Sequence, residues 1–506
     1  MHSVHQTPAL TLVTRATHEL DADILVVPVF EDDPFSDEAG LDAATGGELT
    51  RARARSEFKG EAYEVFSASA APGGWITSRL LLVGLGKHAD LTADRLRRLG
   101  TTAGLAVRQR RATKMALLMP STTVADPTAV QALAEGIVLS NFDGASYKSN
   151  QPKTTWLDTV TIRTSSADPA LAQALDRGRI LGECTNIARS LSNEPGNALT
   201  PRAFAERAGS VAAAAGLALE VLDEHRIADL KMGLLLGVAQ GSIEPPRMMV
   251  LRYEPKTNAA PGVILGLVGK GITFDTGGIS IKPADKMGRM KDDMSGGAAV
   301  LGAMAAIARL GAPVRCIGII AAAENMPGGR ALKPGDVITS AEGKTVEVTN
   351  TDCEGRLVLG DALWYARQLG ATHLVDVATL TGGCVVALGL HTTGLFGSPT
   401  SWRDQVQRAS ERAGDRSWPM PDFEDFLEQL KSDIADIDNF GTRWGSASVG
   451  AVFVKEFTGG LPWVHLDIAG PAWAEESKPY QAKGATGVGV RTLAELAFAA
   501  ASWGKL

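Results

Sequence analysis

The sequence contains few cysteines and shows no motif that pairs them. Its 506 residues include four cysteines, at positions 184, 316, 353 and 384, and none of them forms a Cys-x-x-Cys pair. So small and scattered a set excludes a disulfide framework and favours a reducing compartment. We therefore expect a cytoplasmic protein.

Targeting and membrane signals are also missing. Residues 1–6 do not provide the basic start and long apolar run of a secretory signal. Residues 377–402 lack Asp, Glu, Lys and Arg, which raises the question of a membrane span of about 20 residues. Their glycines, hydroxyl residues, His391 and Pro399 are instead typical of a buried strand and loop. No membrane anchor is expected.

Positive charge is not in excess. The chain has 50 Lys and Arg against 57 Asp and Glu, a net charge of −7, with 45% hydrophobic and 21% charged residues. This composition is typical of a folded protein of two or three domains and argues against a dedicated nucleic-acid binder. Residues 51–114 are nevertheless basic and include Arg95, Arg97 and Arg98. A DNA-binding regulatory or architectural role, alone or beside catalysis, therefore remains an alternative.

Apolar runs that end in turn formers alternate with helical patterns along the chain, which predicts an α/β fold. We expect a smaller N-terminal α/β domain over residues 1–165, with an oligomer-forming or regulatory role, and a connecting helix over 166–192. A larger catalytic domain over 193–506 should have a mixed, mostly parallel sheet covered by helices, with ligands at the carboxyl ends of its strands. Its predicted strands are 218–222, 233–238, 248–253, 262–268, 314–321 and 373–378, and its predicted helices are 202–215, 295–310 and 358–369.

A glycine-rich stretch, residues 269–283, follows the predicted strand that ends at Val268. It contains neither G-x-G-x-x-G nor G-x-x-x-x-G-K-[ST], so a nucleotide-binding loop is not indicated. Close approach of the backbone to an ion or a substrate explains the glycines and also gives Lys270 and Asp275 a role.

Two further acidic segments precede predicted helices. Asp293 stands just before the helix predicted from residue 295 and, taken alone, could be no more than a helix cap. Asp352 and Glu354 follow a β-rich run. In extended backbone, residues two apart face the same side, so both carboxylates could bind one ion while Cys353 faces away.

The summed charge of these side chains indicates metal binding. Asp275, Asp293, Asp352 and Glu354 carry −4 together, which is costly in a partly dry cleft unless cations are present, and two divalent ions supply +4. Carboxylates suit Mg²⁺ and Mn²⁺, Zn²⁺ also accepts them, and the histidines form no H-E-x-x-H pattern. Ions about 3.5–4 Å apart activate a bridging water in phosphatases, nucleases and aminopeptidases. Spacing alone does not separate these classes.

Residues 350–357 resemble the N-T-D-A-E-G-R-L hallmark of the leucine aminopeptidase (cytosol aminopeptidase) family, with Cys353 in place of Ala. The resemblance covers about residues 185–495, whereas the N-terminal domain is similar only in layout. Further segments similar to family motifs are 232–242, 324–326, 333–336, 378–382 and 465–470.

The resemblance implies a role for each motif residue. It implies that the metal ligands are Lys270, Asp275, Asp293, Asp352 and Glu354, that the catalytic pair is Lys282 and Arg356, and that Met290, Thr379 and Gly382 line the pocket for the first side chain. It also implies bicarbonate as the catalytic anion and a homohexamer with its catalytic domains inside.

The chemistry of the three basic residues agrees with these roles. Lys270 can bind a metal only as a neutral amine, so dications must displace a proton normally held with a pKa of about 10.4. Lys282 should keep its proton and stabilise an oxyanion. Arg356, whose pKa exceeds about 12, cannot be a general base and is better suited to orienting an anion or the substrate carbonyl.

The resemblance therefore implies a leucyl aminopeptidase, a hydrolase that acts on peptides and amino-acid amides with a free N-terminus and prefers leucine-like first residues. It would use two divalent ions, Mn²⁺ or Zn²⁺ with Mg²⁺ as a further candidate, and a metal-bridging hydroxide. A different two-metal hydrolase, such as a phosphoesterase, is the alternative, and it requires phosphate-binding groups that the sequence does not show. Two residues leave the description of the site open. Cys353 replaces the Ala of the family motif, and Asp292 could compete with Asp293 for metal.

Overall fold

The computed structural model describes residues 4–33, 40–71, 74–145, 147–150 and 154–503. The chain divides into two compact units, Met1–Asn186 with Glu475–Lys483 and Ile187–Ala474 with Gly484–Leu506. Among the described residues, no helix is both long and apolar enough to cross a bilayer.

The first unit is built on one six-stranded sheet. Its strands are β1 Ala9–Val13, β2 Ile24–Phe30, β3 Val65–Ser69, β4 Arg79–Gly86, β5 Lys114–Leu118 and β6 Thr159–Arg163. They lie in the order β1-β6-β5-β2-β4-β3, and all neighbouring pairs are parallel except β3 with β4. The helices are α1 Leu41–Ala44, α2 Glu48–Ala54, α3 Ala93–Gln109, α4 Pro127–Ser140 and α5 Pro169–Asn193.

Local sequence signals explain where two of these helices begin and how they pack. The Thr92 side chain accepts a hydrogen bond from the backbone N–H three residues later, and Asp126 caps α4, whose first residue is Pro127. Gly136 lets α4 lie against α3, because a Cβ at this position would come within 1.9 Å of the Arg97 carbonyl oxygen. Apolar side chains of both helices pack with strands of the sheet in one core.

The second unit is built on a larger, eight-stranded sheet. Its strands are β7 Ala218–Leu222, β8 Arg247–Tyr253, β9 Ile264–Asp275, β10 Arg315–Asn325, β11 Asp336–Thr339, β12 Thr345–Val348, β13 His373–Ala378, β14 Thr393–Ser398, β15 Ser417–Pro419, β16 Ile437–Asp438, β17 Trp463–Asp467, β18 Trp473–Ala474 and β19 Gly484–Ala485. The main sheet has the order β15-β14-β17-β13-β9-β10-β8-β7, and two small sheets hold β11-β12-β16 and β18-β19.

Nine helices are found among the described residues of this unit after α5. They are α6 Pro201–Ala215, α7 Glu224–Asp229, α8 Gly233–Ala239, α9 Ser295–Leu310, α10 Glu354–Gln368, α11 Gly382–Leu388, α12 Thr400–Ala413, α13 Ser446–Lys455 and α14 Val490–Phe498. The α/β fold class is confirmed, and the main sheet is mixed, with four parallel and three antiparallel neighbouring pairs.

The central strands β9, β10 and β13 are almost fully buried, as expected for parallel strands covered on both faces. Helix α9 lies close to the sheet at Gly296, where a Cβ would come within 2.0 Å of the Val377 carbonyl oxygen. Apolar side chains of α10 pack in one core with side chains of the sheet. This arrangement brings the starts of α9 and α10 to the edge where β9 ends.

Several predicted elements differ from the structure. The predicted strands 262–268 and 314–321 extend further, as β9 Ile264–Asp275 and β10 Arg315–Asn325, so Lys270 and Asp275 lie within a strand and not after it. The predicted strand 233–238 is wrong, because these residues form helix α8. A short apolar run is compatible with either element, and here the Asp361 carboxylate accepts the N–H groups of Leu234 and Leu235 at 2.9 and 3.0 Å, which satisfies the first turn of a helix. Helix α10 begins at Glu354, four residues before the predicted start.

The division of the chain also differs from the predicted limits. The second predicted domain, 193–506, includes the segment Glu475–Lys483, which the structure groups with the first unit. Tyr480 gives the reason, because its ring packs against Tyr63 at a centroid distance of 4.7 Å and the Arg98 guanidinium lies 4.8 Å from it. The predicted connecting helix corresponds to α5, and the boundary between the two units falls inside this helix.

Candidate metal centre

Three carboxylates and one lysine from three parts of the chain meet at the carboxyl edge of the main sheet. Lys270 lies within β9 and Asp275 ends it, Asp293 follows the 3-10 turn 287–292, and Glu354 is the first residue of α10. One oxygen from each carboxylate lies within 4.8 Å of the others. All four residues are buried, with exposed fractions between 1% and 5%.

The Lys270 ammonium occupies the buried end of this cluster. Its Nζ lies 2.8 Å from both carboxylate oxygens of Asp293 and 2.7 Å from Glu354 Oε1, and it donates to the Thr379 carbonyl at 2.9 Å. Burial alone would lower the pKa of Lys270, but the neighbouring carboxylates raise it above its usual range. A dication and the Lys270 proton therefore compete for the same oxygens.

Lys282 occupies the more open end. Its Nζ lies 2.7 Å from Asp275 Oδ2 and also contacts Asp352 Oδ1, and the side chains of Lys282 and Asp352 are 23% and 33% exposed. The other oxygen of Asp275 accepts hydrogen bonds at 2.8 Å from the Asn325 amide and from the Gly277 backbone N–H. The cluster thus runs from a dry end at Lys270 to a partly hydrated end at Lys282.

The electrostatics of the cluster favour an added cation. The two ammonium groups balance only half of the charge of the four carboxylates. Burial raises the pKa of Asp275 to about 6 and that of Asp293 well above its usual range, so their ionised forms are costly. Burial also acts on Glu354, but Lys270 and Lys282 outweigh it and lower the pKa of that carboxyl.

Unpaired buried atoms give an independent test of fit. Glu354 Oε2 is buried and accepts no hydrogen bond from the part of the chain that the structure describes. Buried polar atoms in native proteins are almost always satisfied, so an orphaned carboxylate oxygen indicates a missing partner. Carboxylate oxygens beside a lysine amine are ligands that Mn²⁺, Zn²⁺ and Mg²⁺ accept. The donor set fits a divalent metal ion.

Adjacent acids in the turn before α9 have different partners. Arg289 Nη2 donates to Asp292 Oδ2 at 3.0 Å, whereas Asp293 contacts Lys270. The structure therefore brings Asp293, and not Asp292, to the cluster.

The extended backbone expected at residues 352–354 is not formed. Asp352 lies in a turn, Cys353 has φ −107° and ψ 36°, and Glu354 already belongs to α10. A carboxylate in the first turn of a helix is favoured by the positive end of the helix dipole. Asp352 contacts Lys282 and Glu354 contacts Lys270, so the two acids face different ammonium groups.

Arg356 lies in the first turn of α10 and is 4% exposed. Its Nη1 donates to the Asn439 carbonyl at 2.7 Å, while its Nε is buried and has no hydrogen-bond acceptor among the described residues. Asn439 also accepts the backbone N–H groups of Thr349 and Asn350 at 3.0 and 3.2 Å. Asn439 thus ties Arg356 to the turn that carries Asp352.

The three residues predicted to line a substrate pocket have different surroundings. The Thr379 hydroxyl donates to Asp293 Oδ1 at 2.6 Å, so this residue belongs to the cluster itself. Met290 is half-buried in the 3-10 turn that leads to Asp293. Gly382 is the exposed first residue of α11, and a Cβ added there would meet no atom within 4 Å.

Sequence reasoning assigned no role to two buried polar residues that support the cluster. The Asn325 amide donates to Asp275 at 2.8 Å and to the Thr351 carbonyl at 3.0 Å. Asp467 accepts hydrogen bonds from the Leu380–Thr381 turn. Asn325 and Asp467 lie in segments similar to family motifs, which was the available signal, but their partners are distant in sequence and only the fold reveals them.

Comparison with known proteins places this geometry in context. A model described as "Cytosol aminopeptidase family, catalytic domain" matches residues 186–494, and one for the family's N-terminal domain matches residues 26–151. A "Probable cytosol aminopeptidase" of Solibacter usitatus is 49% identical over 488 residues, which are 96% of this chain and 98% of the relative. One of Alkaliphilus metalliredigens is 42% identical over 494 residues, with the same coverage.

Two solved structures are similar over nearly the whole chain. A mutant of tomato leucine aminopeptidase superposes with a TM-score of 0.89 at 33% identity and covers 98% of each chain. The bottromycin maturation enzyme BotP in complex with Mn superposes with a TM-score of 0.84 at 35% identity, covering 95% of this chain and all of that one.

Proposed function

We propose, from the premise that the chain belongs to the cytosol aminopeptidase family and is a metal-dependent aminopeptidase, that it hydrolyses the first peptide bond of peptides and amino-acid amides with a leucine-like first residue. The observation that carries this proposal is the buried convergence of Asp275, Asp293 and Glu354 around Lys270. The family supplies the reaction class, and this chain's own residues supply the donor set.

We assign the metal ligands to Lys270, Asp275, Asp293, Asp352 and Glu354. These side chains are suited to hold two divalent ions, Mn²⁺ or Zn²⁺ with Mg²⁺ as a further candidate, and the similar BotP structure is a complex with Mn. Bound ions supply Lewis acidity and lower the pKa of a water molecule. Lys270 must give up its proton to serve as a ligand, and the Thr379 carbonyl can still accept one of its remaining N–H groups.

Lys282 and Arg356 are assigned to charge stabilisation. Burial lowers the pKa of Lys282, but the neighbouring Asp275, Glu354 and Asp352 carboxylates raise it above its usual range in the metal-free chain. As an ammonium group, Lys282 can stabilise negative charge on the substrate carbonyl oxygen. The buried Nε of Arg356 has no acceptor among the described residues and can donate to an anion such as bicarbonate.

Substrate recognition is assigned to three residues on the segments that flank the cluster. Met290, Thr379 and Gly382 are proposed to line the pocket for the first side chain. The flexible thioether of Met290 suits a tolerant apolar pocket, and the open space beside Gly382 leaves room for a substrate.

Assembly and location are proposed from the family resemblance. We propose a homohexamer in the cytoplasm, in which residues 1–165 serve oligomerisation or regulation and residues 193–506 catalyse, joined by the helix over 166–192. The names of the relatives support a cytosolic location.

No observation favours the two alternatives, DNA binding and a different two-metal hydrolase. The basic residues that suggested DNA binding have structural partners: Arg97 is 5% exposed and faces Glu135, and Arg98 pairs with Asp94 at 2.9 Å. A phosphoesterase is not favoured by the family to which the chain belongs.

Hydrolysis of leucine p-nitroanilide by metal-depleted and Mn²⁺-reconstituted protein tests the proposal. We expect activity only after reconstitution, near two Mn²⁺ per chain, and no cleavage of N-acetyl-leucine p-nitroanilide. Equal rates on the free and the blocked substrate would contradict the aminopeptidase assignment, and full activity in the presence of a chelator would contradict the metal assignment.

A further inference from the structure

Asp467 is a fully buried carboxylate beside the turn that follows Thr379. It ends β17, has an exposed fraction of 0%, and no lysine, arginine or histidine of the described chain lies within ion-pair distance of it. Its Oδ1 accepts the backbone N–H groups of Leu380 at 3.2 Å and Ala469 at 3.1 Å. Its Oδ2 accepts the backbone N–H of Thr381 at 3.1 Å and the hydroxyl of Thr381 at 2.6 Å.

A buried carboxyl group is costly unless several hydrogen-bond donors offset its lost hydration. Two of the residues that donate to Asp467, Leu380 and Thr381, form the turn between β13 and α11. The Thr381 hydroxyl also accepts the Cys384 N–H at 3.1 Å and so caps α11. Asp467 therefore fixes the path of the chain as it leaves β13.

The residue directly before this turn joins two predicted metal ligands. The Thr379 carbonyl accepts a hydrogen bond from Lys270 Nζ at 2.9 Å, and its hydroxyl donates to Asp293 Oδ1 at 2.6 Å. Lys270 belongs to β9 and Asp293 to the turn before α9, so Thr379 links side chains from two elements. A shift of Thr379 would move both contacts together.

Asp467 belongs to a strand that is hydrogen-bonded to its neighbour in the main sheet. Asp467 is the register partner of Ala378 across the β13–β17 pair, and the Ile468 N–H donates to the Ala378 carbonyl at 2.8 Å. Two residues earlier in both strands, on the same face, buried His465 contacts Asp376 at 2.5 Å. Asp376, His465 and Asp467 thus belong to two hydrogen-bonded strands, whereas the turn 379–381 lies outside the strands.

From this geometry we propose that Asp467 is a positioning residue for the metal centre: it sets Thr379 between Lys270 and Asp293, and thereby sets the placement of these two ligands. The inference rests on the proposed function and deepens it. For Lys270 the consequence is orientation, because an amine that donates one N–H to the Thr379 carbonyl has its lone pair directed away from that carbonyl. Supporting residues of this kind typically change metal affinity by about 10–100-fold.

Asp467→Asn tests the proposal without changing side-chain size. One oxygen becomes an NH₂ group that faces the N–H donors of the turn, so the turn should move. We expect the Kd for Mn²⁺, measured by electron paramagnetic resonance titration of the full chain, to rise about 10–100-fold. Saturating Mn²⁺ should restore most of kcat, which a merely structural role would not produce.

A matched control separates ligand placement from general damage. Asp415 is another buried carboxylate of the same unit, 9% exposed, and it accepts hydrogen bonds from Gly489, Arg491 and Thr492. Asp415→Asn should lose thermal stability and keep its Kd for Mn²⁺ within about twofold, since the groups bonded to it lie at the start of α14 and not in the segments that carry the cluster. If Asp467→Asn does not fold, Thr381→Val removes one hydrogen bond from the same carboxylate and should still raise the Kd.

A double-mutant cycle tests the route of the effect. If Asp467 acts through Thr379, then the effects of Asp467→Asn and Thr379→Val on the Kd should be less than additive, because the hydroxyl contact with Asp293 is already lost and only the carbonyl contact with Lys270 is left to disturb. Wild-type Mn²⁺ affinity in Asp467→Asn, or fully additive effects, would overturn the inference and leave the proposed function intact. A wild-type chain that binds no Mn²⁺ would instead contradict the proposed function.

Discussion

Buried charge is treated differently in the two units. In the first unit, Arg97 on α3 faces Glu135 on α4 with Nε and Oε2 2.5 Å apart, and the side chains are 6% and 1% exposed. In the second unit, four carboxylates surround two lysines, and Glu354 Oε2 is left unpaired. Both clusters contain buried acids and bases. Only the second is short of positive charge.

This contrast separates a structural ion pair from a metal centre. A guanidinium facing a carboxylate joins two helices and leaves nothing for a ligand. An excess of carboxylates raises the pKa of Asp275 and Asp293 and needs a cation from outside the chain. The balance of charge, more than burial or acidity, identifies the site.

The largest expected effect concerns the two adjacent acids before α9. Asp293→Asn should lower kcat/KM on leucine p-nitroanilide by about 10³-fold or more, because a metal ligand worth several kcal/mol is lost. Asp292→Asn, its matched control, should keep metal binding and most activity. The metal-free Asp293→Asn protein should be as stable as the wild type or more so, since a costly buried charge is removed. Equal losses of activity in both variants would show that the two acids do not differ in role.

The ion pair of the first unit should behave in the opposite way. Glu135→Gln leaves Arg97 buried without its main partner and should lower the free energy of unfolding by about 3–5 kcal/mol, with activity per folded molecule unchanged. Denaturant unfolding followed by circular dichroism measures the change. The exposed pair Arg55 and Glu57 provides a control, and Glu57→Gln should change stability by less than about 0.5 kcal/mol. A loss of metal affinity in Glu135→Gln would contradict the distinction between a structural ion pair and a metal centre.

Asp361 is a buried carboxylate of the second unit with backbone partners outside the cluster. It accepts three backbone N–H groups, from Leu234, Leu235 and Ala341. Asp361→Asn turns one acceptor into a donor and should cost about 1–3 kcal/mol of stability, with metal affinity unchanged.

The pH dependence of this variant has a defined sign. Burial raises the pKa of Asp361 in the folded chain to about 7, above the reference value of 3.8. The folded state therefore holds a proton that the unfolded state releases, and its contribution to stability is lost as pH rises from about 4 to about 7. Wild-type stability should fall across this range relative to Asp361→Asn. Parallel pH profiles for the two proteins would contradict the assignment.

The smallest expected effect concerns the proposed pocket for the first side chain. Met290→Ala should reduce kcat/KM for leucine p-nitroanilide about tenfold relative to alanine p-nitroanilide, because a hydrophobic pocket discriminates by about 1–3 kcal/mol. Met420, which is partly buried against the core, provides a matched control. Equal changes on both substrates would remove Met290 from the proposed pocket.

Much of the fold could be predicted because periodicity and punctuation are local. The predicted strands 218–222 and 373–378 and the predicted helix 295–310 have the observed limits. The segment 233–238 failed because its apolar residues fit a strand or a helix, and the decisive partner, Asp361, lies 127 residues from Leu234. The sequence did not predict that the segment 475–483 belongs to the first unit, because its packing on Tyr63 leaves no pattern in the sequence.

The types of residue in the site and their metal-binding character could be read from the sequence, because side-chain identity carries that chemistry. The reaction class came from the resemblance of its motifs to a known family. Which groups meet became visible only in the folded chain. Folding brought Asp293 and not Asp292 to Lys270, directed Asp352 and Glu354 to different lysines, and placed Asp467 beneath Thr379. Hydrogen bonds and charges act over a few ångströms, and only the folding of β9, β13, β17 and the helices that follow brings such distant residues within that range.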